Sequence, residues 1–176
     1  KENFRSNAKC RFLNPSKSEI GLISKKVLEK IINQVKNVTK VNQWRETTTV
    51  IEWFEGINNK EKSKFIKFDI VDYYPSISEN LLDKCISYAK NHSAITDNEI
   101  DIIKHSRKSL LFDSKDIWIK NNENPMFDVT MGSFDGSEVC ELVGLYLLEK
   151  LSIVLGKQNV GLYRDDGLAI VNDANG

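Results

Sequence analysis

The stretch Lys64-Phe65-Ile66-Lys67-Phe68-Asp69-Ile70-Val71 decides how the rest of the chain is read. Ile66, Phe68 and Ile70 alternate with Phe65, Lys67, Asp69 and Val71, which is the two-residue period of a β-strand. Asp69 is out of place in such a run, because acids are disfavoured in strands. A carboxylate buried there needs a cation, a hydrogen-bond network or a metal. Tyr74-Pro75-Ser76 ends the strand in a turn. A second stretch answers the first: apolar strands at 160–163 and 168–171 meet at Arg164-Asp165-Asp166-Gly167, a hairpin. Taken alone, the Asp-Gly step is explained by turn formation.

Outward from these strands the pattern is mostly helical. Residues 2–13 read as the end of a strand or hairpin, broken by Asn14-Pro15-Ser16. Ser16 or Ser18 caps a helix to about residue 38, with Ile20, Ile23, Val27, Ile31 and Val35 at spacings of three and four. A second helix follows the Thr47-Thr48-Thr49 cluster through Glu55, with Val50, Trp53 and Phe54 on its apolar side. Ser78 caps a helix from 79 to about 91, and Asp97 opens another to about 110. Short strands at 111–112 and 117–120 precede a loop over 121–130. Asp135 or Ser137 then starts a long apolar helix to about 155. Gly144 in its middle costs about 1 kcal/mol relative to Ala, so it marks a close packing contact.

Composition bounds the function. With 176 residues, 40% hydrophobic and 28% charged, the chain is of globular type and long enough to bury a core. The longest apolar run, 142–148, is far short of the about 20 residues of a membrane-spanning helix, so no membrane is expected. Cys10, Cys85 and Cys140 form neither a disulfide framework nor a zinc spacing, which fits a reducing intracellular compartment, cytoplasm or nucleus. His92 and His105 have no ligand-spaced partners, and so few histidines leave little room for histidine-dependent nucleophilic catalysis. The chain starts at Lys1 rather than Met and stops at Gly176, and is read as a fragment of something longer. Net charge is zero, yet residues 1–40 carry ten Lys/Arg against three Glu, a local +7 that the rest must balance with −7. Two readings stand: a solvated amphipathic helix, or a phosphate-contacting surface.

If Asp69 and Asp165 lie side by side on neighbouring strands, they repel by about 4 kcal/mol at 4 Å and an effective dielectric of 20. A divalent cation turns that repulsion into a binding site. Carboxylate and carbonyl oxygens suit Mg²⁺, which completes its shell with water and substrate phosphates. Two such ions can activate an attacking hydroxyl and stabilise a leaving pyrophosphate. That is the requirement of nucleotidyl transfer.

Three blocks then resemble one family, the reverse transcriptases. Phe65-Ile66-Lys67-Phe68-Asp69-Ile70 with Tyr74-Pro75-Ser76-Ile77 resembles their motif A. Thr130-Met131-Gly132-Ser133 resembles motif B, and Leu162-Tyr163-Arg164-Asp165-Asp166 resembles motif C. Cys10-Arg11-Phe12-Leu13-Asn14-Pro15 is similar to the fingers segment that reaches the incoming triphosphate. The likeness is to mobile-element enzymes more than to retroviral ones. Two departures stand out: Met131 occupies the usual motif B glutamine position, and Phe134-Asp135-Gly136-Ser137 replaces the common Ser-Pro. The template-base contacts of that glutamine must be absent or replaced.

The resemblance implies an α+β polymerase palm, an antiparallel sheet backed by helices, with partial fingers and the thumb missing. Residues 1–64 would be fingers, 65–92 and 131–176 palm, and 93–130 a connecting segment. Asp69, Asp165 and Asp166 would be catalytic and, with the Ile70 carbonyl, would hold two Mg²⁺ ions or Mn²⁺ in their place. Arg11, Lys9, Tyr74 and Gly132 would bind nucleotide, with Arg5 a weaker candidate for the same work. The guanidinium of Arg11 suits phosphate oxygens, and the ring of Tyr74 would exclude a 2′-hydroxyl. Partners would be an RNA or DNA template with its primer, and deoxynucleoside triphosphates. Each role has a plainer counterpart: Arg11 as a surface base, Asp166 as a turn residue, Gly132 as a helix-terminal turn, Tyr74 as a core aromatic with Tyr73 exposed. Trp44, Trp53 and Trp118 could stack on bases, but large aromatics are mostly packed inside. Two further functions compete: an RNA-directed RNA polymerase palm, and a catalytically inactive nucleic-acid-binding remnant.

Overall fold

The computed structural model describes residues 18–58, 60–109, 111–112, 115–118 and 124–172. The expected roles of Arg5, Lys9 and Arg11, and the strand expected at 2–13, lie outside the described residues.

Alternation over 64–71 does produce a strand, β2 (Ser63–Asp69). It runs antiparallel to β6 (Asp166–Asn172), which turns back on β5 (Val160–Tyr163). One strand was not foreseen. β1 (Asn42–Trp44) is only three residues long, too short to show a period, and it pairs in parallel with β5. The sheet is therefore mixed, in the order β1-β5-β6-β2, rather than wholly antiparallel. It also takes a strand from within the 1–64 segment.

Helices back one face. α1 (Glu19–Thr39) is capped by Ser18, whose hydroxyl accepts from the Gly21 amide at 3.1 Å. After β1, α2 (Thr47–Glu55) starts at the threonine cluster as expected. Past β2 comes a single helical turn, α3 (Tyr73–Ser76), where the sequence suggested a simple turn. α4 (Glu79–Lys90) is capped by Ser78, and α5 (Asp97–Ser106) by a capping box of Thr96 and Glu99. β3 (Leu111–Phe112) and β4 (Ile117–Trp118) form a separate two-stranded ladder. α6 (Gly136–Leu155) is the central helix, with Val139, Leu142, Val143, Leu145 and Leu148 buried. A helix apolar on most sides must be surrounded, and α6 packs on α1, α4 and the sheet. Gly144 is where it touches the sheet: a Cβ there would meet Gln43 Nε2 at 2.7 Å and Leu162 at 3.2 Å. No helix among the described residues is long and apolar enough to cross a membrane.

α5 stops at Ser106, four residues short of the expected end. The cause is tertiary. Arg107, 2% exposed, forms an ion pair with Asp135, which is fully buried. Ser106 Oγ donates to the other carboxylate oxygen at 2.7 Å. Lys108 then forms an antiparallel bridge with Phe127, and the Arg107 carbonyl accepts from the Asp128 amide at 2.9 Å. The backbone that would have continued the helix is thus used elsewhere. For the same reason Asp135, at the N-cap position of α6, makes no side-chain cap.

Among the described residues, three lysines of α1 find acidic partners elsewhere in the chain. Lys25 pairs with Glu138 at 3.4 Å, Lys30 with Glu99 at 2.7 Å, and Lys36 with Glu141 at 3.5 Å. Arg45 meets both oxygens of Glu141, at 2.8 and 2.9 Å. The basic face of α1 is thereby directed at acidic residues of α5 and α6.

Two predictions follow from these contacts. Arg107→Ala leaves a buried carboxylate unpaired and should cost about 3–5 kcal/mol in urea unfolding. Arg107→Met with Asp135→Leu should recover most of that loss. Glu99 is held down to about 2 by hydrogen bonds from Lys30 and then from Thr96. Its folded value lies below its ordinary 4.5, so its stabilisation is present above that value and lost as pH falls towards about 2. Thermal melts over that window should show a decline that Glu99→Gln flattens.

Candidate active site

Side chains directly opposite in an antiparallel ladder share a face. Phe68 stands opposite Gly167, and Asp69 opposite Asp166. The helix-side face therefore carries Ile66, Phe68, Gly167, Ala169 and Leu162, and the other carries Phe65, Lys67, Asp69, Asp166, Leu168 and Ile170. Two aromatic rings fix the strands, one on each face. A Cβ on Gly167 would run into the Phe68 ring, and a Cβ on Gly161 into the Trp44 ring. Only glycine leaves room for either ring to lie on the backbone, so a one-residue slip is blocked.

α2 covers the far part of the face opposite the helices. Trp53 tilts against Trp44 at 5.0 Å and Phe54 against Phe65 at 5.4 Å. Trp44 is 7% exposed. It is therefore a packing residue, and Trp53 is half-buried beside it, its indole N–H donating to the Gln158 carbonyl at 2.8 Å. The Trp118 side chain lies outside what is described. The near part of the face, around Lys67, Asp69 and Asp166, is open to solvent.

Asp69 departs from the expectation of a buried strand acid. It is exposed, because it is the last residue of an outer strand. Asp166 is the first residue of β6 rather than a turn residue, and Lys67 Nζ lies 3.4 Å from its carboxylate. The turn proper is Arg164-Asp165. Arg164 takes a left-handed φ of 56°, uncommon for a non-glycine residue, and lies over the Tyr163 ring at 5.9 Å. The Asp165 carbonyl accepts from the Ile70 amide at 2.9 Å, which carries the pairing one step past the end of β2. Ile70 and all three aspartates thus meet at one end of the sheet. The expected neighbour of Asp69 was Asp165, but the register sets Asp166 opposite Asp69 on one face and leaves Asp165 in the adjoining turn, because β6 begins at Asp166.

Among the described residues, no group of three or more His, Cys, Asp and Glu side chains closes on a shared point. The donor chemistry nonetheless fits a hard cation: two carboxylates on one face, with a third acid and carbonyl oxygens beside them. Mg²⁺ needs only one or two protein carboxylates when substrate phosphates and water supply the rest.

The two tyrosines sort themselves. Tyr73 is buried, and its hydroxyl donates to the Cys140 carbonyl at 2.6 Å. Tyr74 is half-buried and lies against the first turns of α6; a Cβ on Gly136 would be 3.5 Å from its ring. Burial pushes its phenol up to about 12, so the ring is neutral at physiological pH. Tyr74, and not Tyr73, is therefore the tyrosine with a free surface. Burial also pushes Cys85 and Cys140 to about 12, which keeps both thiols protonated. Gly132 has φ of 88° in an exposed turn, a conformation that favours glycine. Ser133 Oγ closes that turn onto the Thr130 carbonyl at 2.8 Å. His92 packs edge-on to Tyr88, and His105 is exposed.

Sequence reasoning missed two elements of this arrangement. The Arg107–Asp135 pair, which ties α5 to the start of α6, left no local signal. Lys67 did leave one, since alternation puts it on the face of Asp69, but its partner Asp166 was assigned to the turn.

No family model matches the chain, and no curated protein matches it. Its fold does have a counterpart among solved structures. An apo telomerase from Candida tropicalis, truncated from its C-terminal domain, superimposes with a TM-score of 0.61 at 18% identity. The match covers 88% of this chain and 34% of that one. The fold is reverse-transcriptase-like, with a palm-like sheet backed by helices. The chain spans about a third of that telomerase's length.

The register lock gives a test of the site's frame. Gly167→Ala should destabilise the chain by about 1–3 kcal/mol through overpacking against Phe68. In a Phe68→Ala background the same change should cost much less. Thermal unfolding of the four species gives the coupling.

Proposed function

We propose that the chain is the palm of a reverse transcriptase and catalyses template-directed addition of deoxynucleotides to a primer. The observation that carries this reading is the alignment of Asp69 with Asp166 on an open sheet face, with Asp165 in the adjoining turn, in a reverse-transcriptase-like fold. The retroelement type is part of the proposal and rests on the motif A and fingers resemblance.

Asp69, Asp165, Asp166 and the Ile70 carbonyl would hold two Mg²⁺ ions. Bound there, the metal supplies an activated 3′-hydroxyl and charge neutralisation at the leaving pyrophosphate. The chain's own residues do the positioning, which accounts for most of the catalysis in phosphoryl transfer. The exposed end of the sheet admits a primer terminus from solvent. Tyr74, half-buried against α6, would crowd out a 2′-hydroxyl on the incoming sugar. Gly132 allows backbone to approach the nucleotide closely. Arg11 and Lys9 would grip its triphosphate. Met131 brings no amide to the template base, so the contacts that glutamine makes would be absent or replaced.

Primer extension by the polypeptide that carries this chain tests the reading. Asp69→Asn should lower the rate by about a hundredfold or more. Tyr74→Ala should let ribonucleotides in, reducing sugar discrimination about tenfold to hundredfold while deoxynucleotide addition largely survives. A wild-type preference for ribonucleotides would instead identify an RNA polymerase. No extension by any species, with primer–template still bound in a direct binding assay, would identify a nucleic-acid-binding remnant.

A further inference from the structure

The open end of the sheet contains one feature that nucleotidyl transfer does not account for. Lys67 points from the same face as Asp69 and Asp166 and places its ammonium 3.4 Å from Asp166, with both side chains largely in solvent at 77% and 55% exposure. Like charges directly opposite across two strands destabilise the pairing, and Asp69 and Asp166 are such a pair. A long flexible side chain two residues before Asp69 can offset that repulsion and can also swing away.

We propose that Lys67 is the resident counter-ion of the acidic end, offsetting the repulsion between the aspartates until a divalent cation displaces it. The inference rests on the reading of this end as a metal site. Lys67 competes with the metal for the same carboxylate, so it weakens divalent-cation affinity while stabilising the metal-free sheet. The two effects are coupled through one ion pair, because whatever occupies the Asp166 carboxylate removes the same repulsion. Lys67 acts through Asp166 and is a positioning residue.

Mn²⁺ alone is the probe, titrated into the 176-residue chain with direct binding and the thermal midpoint read together. Lys67→Met should bind Mn²⁺ roughly fivefold more tightly than wild type, since a unit charge at contact distance is removed from a solvated site. Its midpoint without metal should be lower, and its rise on adding Mn²⁺ larger. Lys67→Arg, which keeps the charge, should behave as wild type, and Asp69→Asn should lose the binding. Lys67→Gln replaces the methionine variant if circular dichroism shows the latter unfolded. Binding by wild type that Asp69→Asn abolishes, but that Lys67→Met leaves unchanged or weakens, overturns the counter-ion role and leaves the metal site standing. Absence of specific binding in both wild type and Lys67→Met overturns the role and the metal site together.

Discussion

The contact between the Phe68 ring and the backbone of Gly167 sets the geometry on which the rest depends. Strand pairing has no intrinsic preference for one register over its neighbour; side chains must impose it. Here an aromatic ring on one strand fits only where the other has no Cβ. Trp44 over Gly161 repeats the device on the opposite face, one strand further along. With β2, β6 and β5 thus locked, Asp69 has to face Asp166, and the Arg164-Asp165 turn has to abut Ile70. The facing of Asp69 and Asp166 is thus set by the ring-on-glycine contact of the residue pair next to them.

The second support is the buried Arg107–Asp135 pair. Burying two charges costs solvation that their mutual attraction does not reliably exceed, so its value lies in position rather than in net stability. It fastens the end of α5 to the first turn of α6. The first two turns of α6 carry Gly136 and Cys140, against which Tyr74 rests. Tyr74 is therefore backed by a helix start that a buried ion pair fixes in place. Contacts between α1 and the acidic residues of α5 and α6 work in the same sense from the opposite side of the helical layer.

The sheet's two faces divide the labour. The helix-side face is packed through Gly144 and Leu162. The other is half covered by α2, where Trp53 and Phe54 meet Trp44 and Phe65, and half open where the acids stand. Exposed carboxylates avoid the desolvation that burial would impose, and an open face is also what a large substrate requires.

Much of this was determined by local sequence. Alternation over Phe65 to Ile70 defines β2, the capping residues Ser18 and Ser78 start two helices, and the resemblance to motifs A and C singles out Asp69, Tyr74 and Asp165-Asp166 as candidates. These signals are legible because caps and periodicity act over a few residues. The tertiary structure alone decided the parallel strand Asn42–Trp44, the early end of α5, the exposure of Asp69 and the partnership of Lys67 with Asp166. Each depends on residues about thirty to over a hundred positions apart in sequence meeting in space. A three-residue strand has no period to read, and an arginine buried against an aspartate looks in sequence like any other surface charge.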